Sequence, residues 1–456
     1  MLKTTTCLAL ALSSSALALA GSDAHAGWIA SPPARAGGGR GGSARMSFIC
    51  AHPHQKFHVA PMQAYTNRHL RKLCRLLSKE AVLWTEMEKT EDILESDAAA
   101  ERRLRHDASE RCVLQLGGND ITRLQSACRV ANEYGFNEVN LNCGCPSVET
   151  GGANFGATMM LDPAGTGDAC AAMADVSRAP ISVKCRLGAH LKTRDDGALP
   201  EDRFEALAHF VRVVSERAPV KHWVVHCRAA VLCGLSPAKN RSVPPLRPEF
   251  VLRLAEEFPN LEFTLNGGIG GIHDATRTLA AHPSLHGVMA GRLVLRRPLD
   301  LARLDAALLG CGDADVARAG GRPATWQNAA LNAMQDYFEY SRLEALDKRA
   351  ALHELATPLI LVHEHLRSIC TALDDADDDA RGAADMWYDE EFLQEAHMAL
   401  DRGIGDLIDL KSGRPRGGAG VMGRETLSWR QTAKMLEKAC GKKVYIMHII
   451  YMCMCG

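Results

Sequence analysis

From residue 57 onward the chain alternates between two hydrophobic rhythms. Short apolar runs fall at 57–61, 81–86, 112–117, 138–142, 181–186, 223–226, 262–266 and 287–290. Each closes on a polar or glycine-bearing turn. Longer segments follow, such as 68–77 and 121–134, in which Leu, Cys and Val return every three or four residues. Short apolar runs bounded by turn residues are the pattern of buried strands, and the three-to-four spacing is that of helices facing a core. Eight strand-helix units in about 240 residues predict an α/β fold, a (β/α)8 TIM barrel. After Cys311 a Gly/Ala/Asp-rich stretch at 312–321 precedes two further helical segments, 325–351 and 352–373, with heptad-like Leu and aromatic positions. The expected order is a barrel over 46–310, a linker over 311–325, a helical domain over 326–411 and a tail over 412–456.

In such a barrel, chemistry belongs at the carboxyl ends of the strands. All eight ends carry polar or glycine residues: Pro61-Met62-Gln63, Glu86, Gln115, Asn140 and Asn142 with Cys145, Lys184 and Arg186, His226 with Arg228, Asn266-Gly267-Gly268, and Gly291-Arg292. The fourth run stops at a Gly-Cys-Pro turn, which places Cys145 on a loop just past a buried strand. Cysteines more often act as small buried hydrophobes. Two flanking asparagines and the turn favour chemistry for Cys145, while Cys143 fits packing. The seventh and eighth ends can offer backbone N–H groups to a phosphate, with glycine permitting close approach, although Gly-Gly alone would also make a plain turn. Lys184 and Arg186 share one face of their strand, and with His226 they need an anion or carbonyls nearby. A salt bridge to Glu86 is the competing reading for the first two, and a core histidine for His226. Gln115 fits either an interior layer or a carboxamide that donates to and accepts from an imide-like ring.

Composition adds limits. With 46% hydrophobic and 23% charged residues the chain is ordinary for a globular protein. Its formal charge is −1, and residues 1–45 hold four basic residues (Lys3, Arg35, Arg40, Arg45) against one acid (Asp23), leaving 49 basic and 53 acidic residues in the remainder. Any nucleic-acid contact must then be a local basic patch. Sixteen cysteines without regular spacing fit reduced thiols inside a cell better than a disulfide scaffold. Neither Cys143-Gly144-Cys145 nor Cys453-Met454-Cys455 has zinc-site spacing, so no metal is expected. Residues 1–45 are Ala/Ser/Gly-rich, with Lys3 ahead of an apolar run at 7–20, small residues at 24–26 and an arginine-bearing glycine-rich second half. This is the pattern of a bipartite targeting presequence, so an organelle is expected, a plastid ahead of a mitochondrion, with the cytoplasm as alternative. Nothing downstream approaches roughly 18 uninterrupted apolar residues, and no membrane partner is expected.

Ten motifs in one order carry a family resemblance: APM (60–62), YTNRHLR (65–71), TEM (85–87), LQLGG (114–118), NLNCGCPS (140–147), VKCRLG (183–188), HCRAAVLCGLSP (226–237), NRSVPPL (240–246), LNGGI (265–269) and GVMAGR (287–292). Together they resemble the tRNA-dihydrouridine synthases, most closely the A-type branch. The resemblance implies an FMN-containing TIM barrel with a C-terminal helical tRNA-binding domain. It implies reduction of the C5=C6 bond of D-loop uridine, in the position-20 region, with NADPH as electron donor. Pro61, Met62 and Gln63 would border the isoalloxazine, and Gln115 and Lys184 would bond to it. His226, Asn266, Gly267, Gly268, Gly291 and Arg292 would complete the flavin and phosphate site. Cys145 would protonate C5, Asn142 would contact the target uridine, and Arg186 and Arg241 would hold base or backbone. The expected partners are tRNA and NADPH, and the expected state is a monomer.

The chain departs from the A-type pattern at Ala229 and Val231, where a lysine and a tryptophan are usual, at Ala238 for a basic residue, and at Asn154 for an arginine. Lys192, Arg194 and Lys239 lie near enough in sequence to substitute. The acidic run at 374–379 suits a solvated loop. Beyond Gly413 the chain turns basic, which fits an RNA contact and a plain tail equally. Two rival functions remain at this point: reduction of a free pyrimidine, and an RNA-binding protein without turnover.

Overall fold

The computed structural model describes residues 54–107, 110–146, 155–194, 198–309, 326–346, 352–375 and 390–412. The segments expected to be a presequence (1–45), a linker (311–325) and a tail (past 412), and also Asn154, lie outside the described residues.

Eight strands pair in parallel: β1 (Lys56–Val59), β2 (Leu83–Lys89), β3 (Cys112–Gly117), β4 (Glu138–Cys143), β5 (Ile181–Arg186), β7 (His222–His226), β9 (Glu262–Asn266) and β10 (Gly287–Ala290). Their order is β1-β10-β9-β7-β5-β4-β3-β2. A bridge between His58 and Val82 joins the two ends, with Val59 N–H donating to Val82 O and Val82 N–H to Phe57 O, each at 2.9 Å. The ring is the (β/α)8 barrel that the alternating pattern predicts. Four strands keep the expected bounds. β2 instead runs on to Lys89, with a register irregularity between Trp84 and Met87 that re-aims its side chains. A second, two-stranded parallel sheet joins β6 (Ala189–Lys192) to β8 (Ala230–Cys233), immediately beyond β5 and β7.

The period-two alternation sorts each strand into two faces. Val139, Leu141 and Cys143, with Ile181, Val183, Cys185, Trp223, Val225, Phe263 and Leu265, share one buried cluster with the surrounding helices. Inside the ring only a small apolar group forms, including Trp84, Val113, Val224 and Met289. The remaining interior is polar: Gln115, Asn140, Ser182, His222 and Thr264 are at most 5% exposed. Buried polar groups are costly unless hydrogen-bonded, so this interior must be internally satisfied.

The helix Arg68–Leu77 shows why the outer layer forms. The Asn67 side chain accepts from His69 N–H and Leu70 N–H to cap its start, and Leu70, Leu73, Cys74 and Leu77 recur on the buried face. Further on, the helices Trp326–Ala345, Leu352–Asp375 and Glu390–Ser412 share a core with this helix, through Leu70, Leu73, Tyr337, Leu359 and Phe392. Arg68 pairs with Glu344 at 2.7 Å, and His69 Nδ1 lies 2.9 Å from Tyr340 Oη. Among the described residues, no helix is long and apolar enough to cross a membrane.

Candidate active site

At the carboxyl end of β4 the inward alternation ends on Asn142, and the chain then turns. Asn142 Oδ1 accepts from Gly144 N–H at 3.1 Å and Cys145 N–H at 2.9 Å. Cys145 O accepts from Ala157 N–H at 2.9 Å. Next to it, Gly156 has φ +76°, and a Cβ there would lie 2.5 Å from Cys145 O, so only glycine fits. Arg186 Nε donates to Gly144 O at 2.8 Å. The loop is thus held through its backbone, with the Cys145 side chain half-buried at its turn. Cys143 is fully buried against the helices, and burial followed by Cys170 and Cys185 pushes its thiol well above the ordinary value. It is a packing residue.

Two residues expected to touch substrate are placed differently. Arg186 is 4% exposed, and besides Gly144 O its guanidinium donates to Ala229 O at 3.0 Å and Asn240 O at 2.8 Å. It joins the Cys145 loop to the segment around β8 rather than presenting its charge to a base. Asn142 is 7% exposed, and its Nδ2 donates to Gln115 Oε1 at 2.8 Å. Its Oδ1 thus holds the Cys145 loop and its Nδ2 the interior carboxamide. Gln115 Nε2 donates in turn to Asn140 Oδ1 at 2.9 Å, so among the described residues one N–H and one lone pair of Gln115 remain for a ligand. Arg241 is exposed.

The other expected residues gather at the same end. Lys184 is half-buried, and burial, then Arg186, lower it to about 8. His226 pairs in register with Arg186 and Asn266. Burial, then Arg186, Lys184, Arg228 and Arg292, hold it well below its ordinary value, so it is neutral. Arg228 is lowered by burial and Arg292, and Arg292 by burial, Arg296 and Arg241. No carboxylate appears among these influences. A cluster of cations that depress one another fits an anionic or electron-rich group at this mouth. Gly267 (φ +112°) and Gly268 (φ +80°) are left-handed, and a Cβ on Gly267 would lie 3.2 Å from His226 and Leu246. Asn266 Nδ2 donates to Met289 O at 3.0 Å, and a Cβ on Gly291 would lie 3.1 Å from Met62 Sδ. The ends of β1, β9 and β10 therefore meet in one glycine-lined cradle, with Pro61 and Met62 half-buried and Gln63 exposed beside it.

Glu86 stands on β2, the strand bridged to β1, where the strand pattern offered it as a salt-bridge partner for Lys184 and Arg186. Its carboxyl accepts from the backbone of Ala64, and burial, then Glu88, raise it to about 7, while Oε1 is buried without a partner among the described residues. It does not pair with Lys184 or Arg186. A carboxyl raised above its unfolded value favours the fold below the unfolded value and loses that advantage as pH rises through about 7. Glu86→Gln should therefore raise Tm at pH 8 by about 2–4 °C and leave it unchanged at pH 4. Thermal melts across pH check this, and equal shifts at both pH values would contradict it.

Comparison with known proteins places the motif order in context. The family model described as "Dihydrouridine synthase (Dus)" matches residues 58–345. A Pseudomonas putida protein named tRNA-dihydrouridine(20/20a) synthase is 42% identical over 265 residues, covering 58% of this chain and 74% of its own length. A Xanthomonas axonopodis protein of the same name is 40% identical over 293 residues, 64% of this chain and 80% of its own. An Escherichia coli protein so named is 37% identical over 263 residues, 57% and 72%.

Proposed function

Because the chain belongs to the dihydrouridine synthase family, we propose that it reduces the C5=C6 bond of uridine in tRNA, using FMN and NADPH. The target we assign is D-loop uridine in the position-20 region, in keeping with the 20/20a printed in its relatives' names. The observation that carries this reading is the Cys145 loop, fastened by backbone contacts at a cationic mouth. The cradle described above suits FMN: Pro61, Met62 and Gln63 along the ring, Gln115, Lys184 and His226 beside it, and Asn266, Gly267, Gly268, Gly291 and Arg292 at the phosphate. When bound there, FMN supplies a hydride to C6 of the uracil ring.

The chain's own groups supply the remainder. Cys145 holds the proton that goes to C5, a role that needs a thiol rather than a thiolate. Lys184 offers positive charge to the oxyanion developing at O4, and neutral His226 offers a hydrogen bond without adding charge. A target base must leave its stack to reach the mouth, and exposed Lys192, Lys239 and Arg241 offer phosphate contacts for the strand around it. The helical domain takes the rest of the tRNA. The same reading takes the protein as a monomer directed to an organelle, a plastid ahead of a mitochondrion.

Lys184 keeps its charge below about 8 and loses it above. Turnover should fall as pH rises through about 8, and Lys184→Met should lower kcat about 100-fold and erase that limb. A pH profile of both proteins checks the sign; an unchanged alkaline limb in the variant would contradict it.

The function is tested by purifying the chain, recording its flavin spectrum, and digesting tRNA after incubation with NADPH. We expect a yellow protein, dihydrouridine in previously unmodified tRNA, and no NADPH consumption with free uracil. A colourless protein that takes up no FMN would overturn the reading. Turnover on free uracil alone would move the activity to the free pyrimidine, and tRNA binding without product would leave an RNA-binding protein.

A further inference from the structure

One continuous chain of side-chain hydrogen bonds runs the length of the barrel interior. At the mouth Cys145 N–H and Gly144 N–H donate to Asn142 Oδ1. Asn142 Nδ2 then donates to Gln115 Oε1 at 2.8 Å, and Gln115 Nε2 to Asn140 Oδ1 at 2.9 Å. Asn140 Nδ2 donates to Ser182 Oγ at 2.8 Å, and the Ser182 hydroxyl donates to Glu138 Oε1. At the floor Glu138 Oε2 lies 3.0 Å from His222 Nδ1, and His222 Nε2 lies 2.8 Å from Thr264 Oγ1. Gln115, Asn140 and Ser182 are neighbours across β3, β4 and β5 in register, which is why three inward positions can link directly.

The chain has a direction, and both ends impose the same one. A backbone N–H can only donate and a carboxylate can only accept. The three carboxamides between them must each turn oxygen toward the mouth and nitrogen toward the floor. Reversing one would set donor against donor in a buried network, where an unsatisfied group is expensive. The two floor groups favour each other's charged forms: against burial, His222 and the hydrogen bonds from His222 and Ser182 bring Glu138 below its ordinary value. Against burial, Glu138 raises His222.

The same floor brings nitrogens of His58, His222 and His286 within 4.8 Å of one another, a spacing that suggests a metal. The tautomer argues otherwise. Trp84 Nε1–H donates to His58 Nδ1 at 3.1 Å, so the His58 proton sits on Nε2 and the ring has no lone pair left for an ion. His222 is engaged at both nitrogens.

We propose that the Glu138–His222 pair at the barrel floor positions the mouth: it sets the direction of the Asn140, Gln115 and Asn142 carboxamides, and through them the seat of the Cys145 loop. Glu138, His222 and Ser182 are positioning residues, remote from the reacting atoms. The catalytic consequence rests on the proposed function; the geometric consequence does not.

The test uses the full chain with Glu138→Gln, Glu138→Asp and Ser182→Ala, at a temperature where each is folded. Iodoacetamide labelling of Cys145 is followed by peptide mass spectrometry, with exposed Cys233 as internal reference. Glu138→Gln lets the floor donate as well as accept, and Ser182→Ala cuts the chain, so both should change the Cys145 labelling rate at least about threefold while Cys233 stays constant. In tRNA turnover both should lower kcat about tenfold with KM within about twofold, and Glu138→Asp, still acceptor-only, should recover most of the loss. Should Glu138→Gln not fold, Ser182→Ala alone decides. Variants with a lower Tm but unchanged Cys145 labelling would overturn the proposal. Altered labelling in a protein that reduces no tRNA would uphold the positioning role and sink the proposed function.

Discussion

Cys145→Ala should lower dihydrouridine formation at least about 1,000-fold and leave FMN bound. The loop is fastened by Cys145 N–H to Asn142, by Cys145 O to Ala157, and by Gly144 O to Arg186, and none of these uses the sulfur. Alanine therefore keeps these three backbone ties and removes the proton source. NADPH should still reduce the flavin at close to the normal rate, with the loss confined to the step that consumes tRNA. Cys145→Ser should recover little, because an alcohol is a far weaker acid than a thiol. Stopped-flow measurement of each half-reaction separates them; an alanine variant with full tRNA turnover would remove Cys145 from the mechanism.

Arg186→Ala should cost about 3–5 kcal/mol of stability. One buried guanidinium satisfies carbonyls of Gly144, Ala229 and Asn240, and its loss leaves three acceptors without their donor. Arg186→Lys should rescue only part, since an ammonium cannot span three carbonyls as a planar fork does. The expected pattern is a lower Tm together with a lower kcat, because the Cys145 loop loses one of its ties. Direct contact with the tRNA would give the opposite pattern, a raised KM with an unchanged Tm, so one melt and one kinetic series decide between them.

Much of the barrel was legible because each strand is buried on its helix face and bounded by turn residues, a local signal. Cys145 stood out for the same reason, sitting where an alternating run meets Gly-Cys-Pro. The roles of Arg186 and Asn142 were not legible, since what a side chain donates to depends on carbonyls and amides brought in from other strands. Arg186 finds Ala229 and Asn240 only once β5 and β7 lie side by side. Asn240, fully buried and bonded to Val231 through both N–H and C=O, holds the β8 segment in place, yet reads in sequence as one more loop asparagine. The β6–β8 pair was missed because each strand is only four residues long: Ala189–Lys192 mixes apolar and polar positions, and Ala230–Cys233 is an apolar run too short to show a period. The interior relay was invisible for a similar reason: its members come from different strands, and only the register makes them neighbours.

The central claim is that a flavin at this mouth hands its electrons to uridine in tRNA. The most direct test is to reduce the FMN-loaded protein with NADPH without oxygen, mix it with unmodified tRNA, and follow the return of the oxidised flavin band. The account predicts rapid reoxidation matched by one dihydrouridine per flavin, and none with tRNA already carrying dihydrouridine. Flavin that stays reduced in the presence of unmodified tRNA would contradict it.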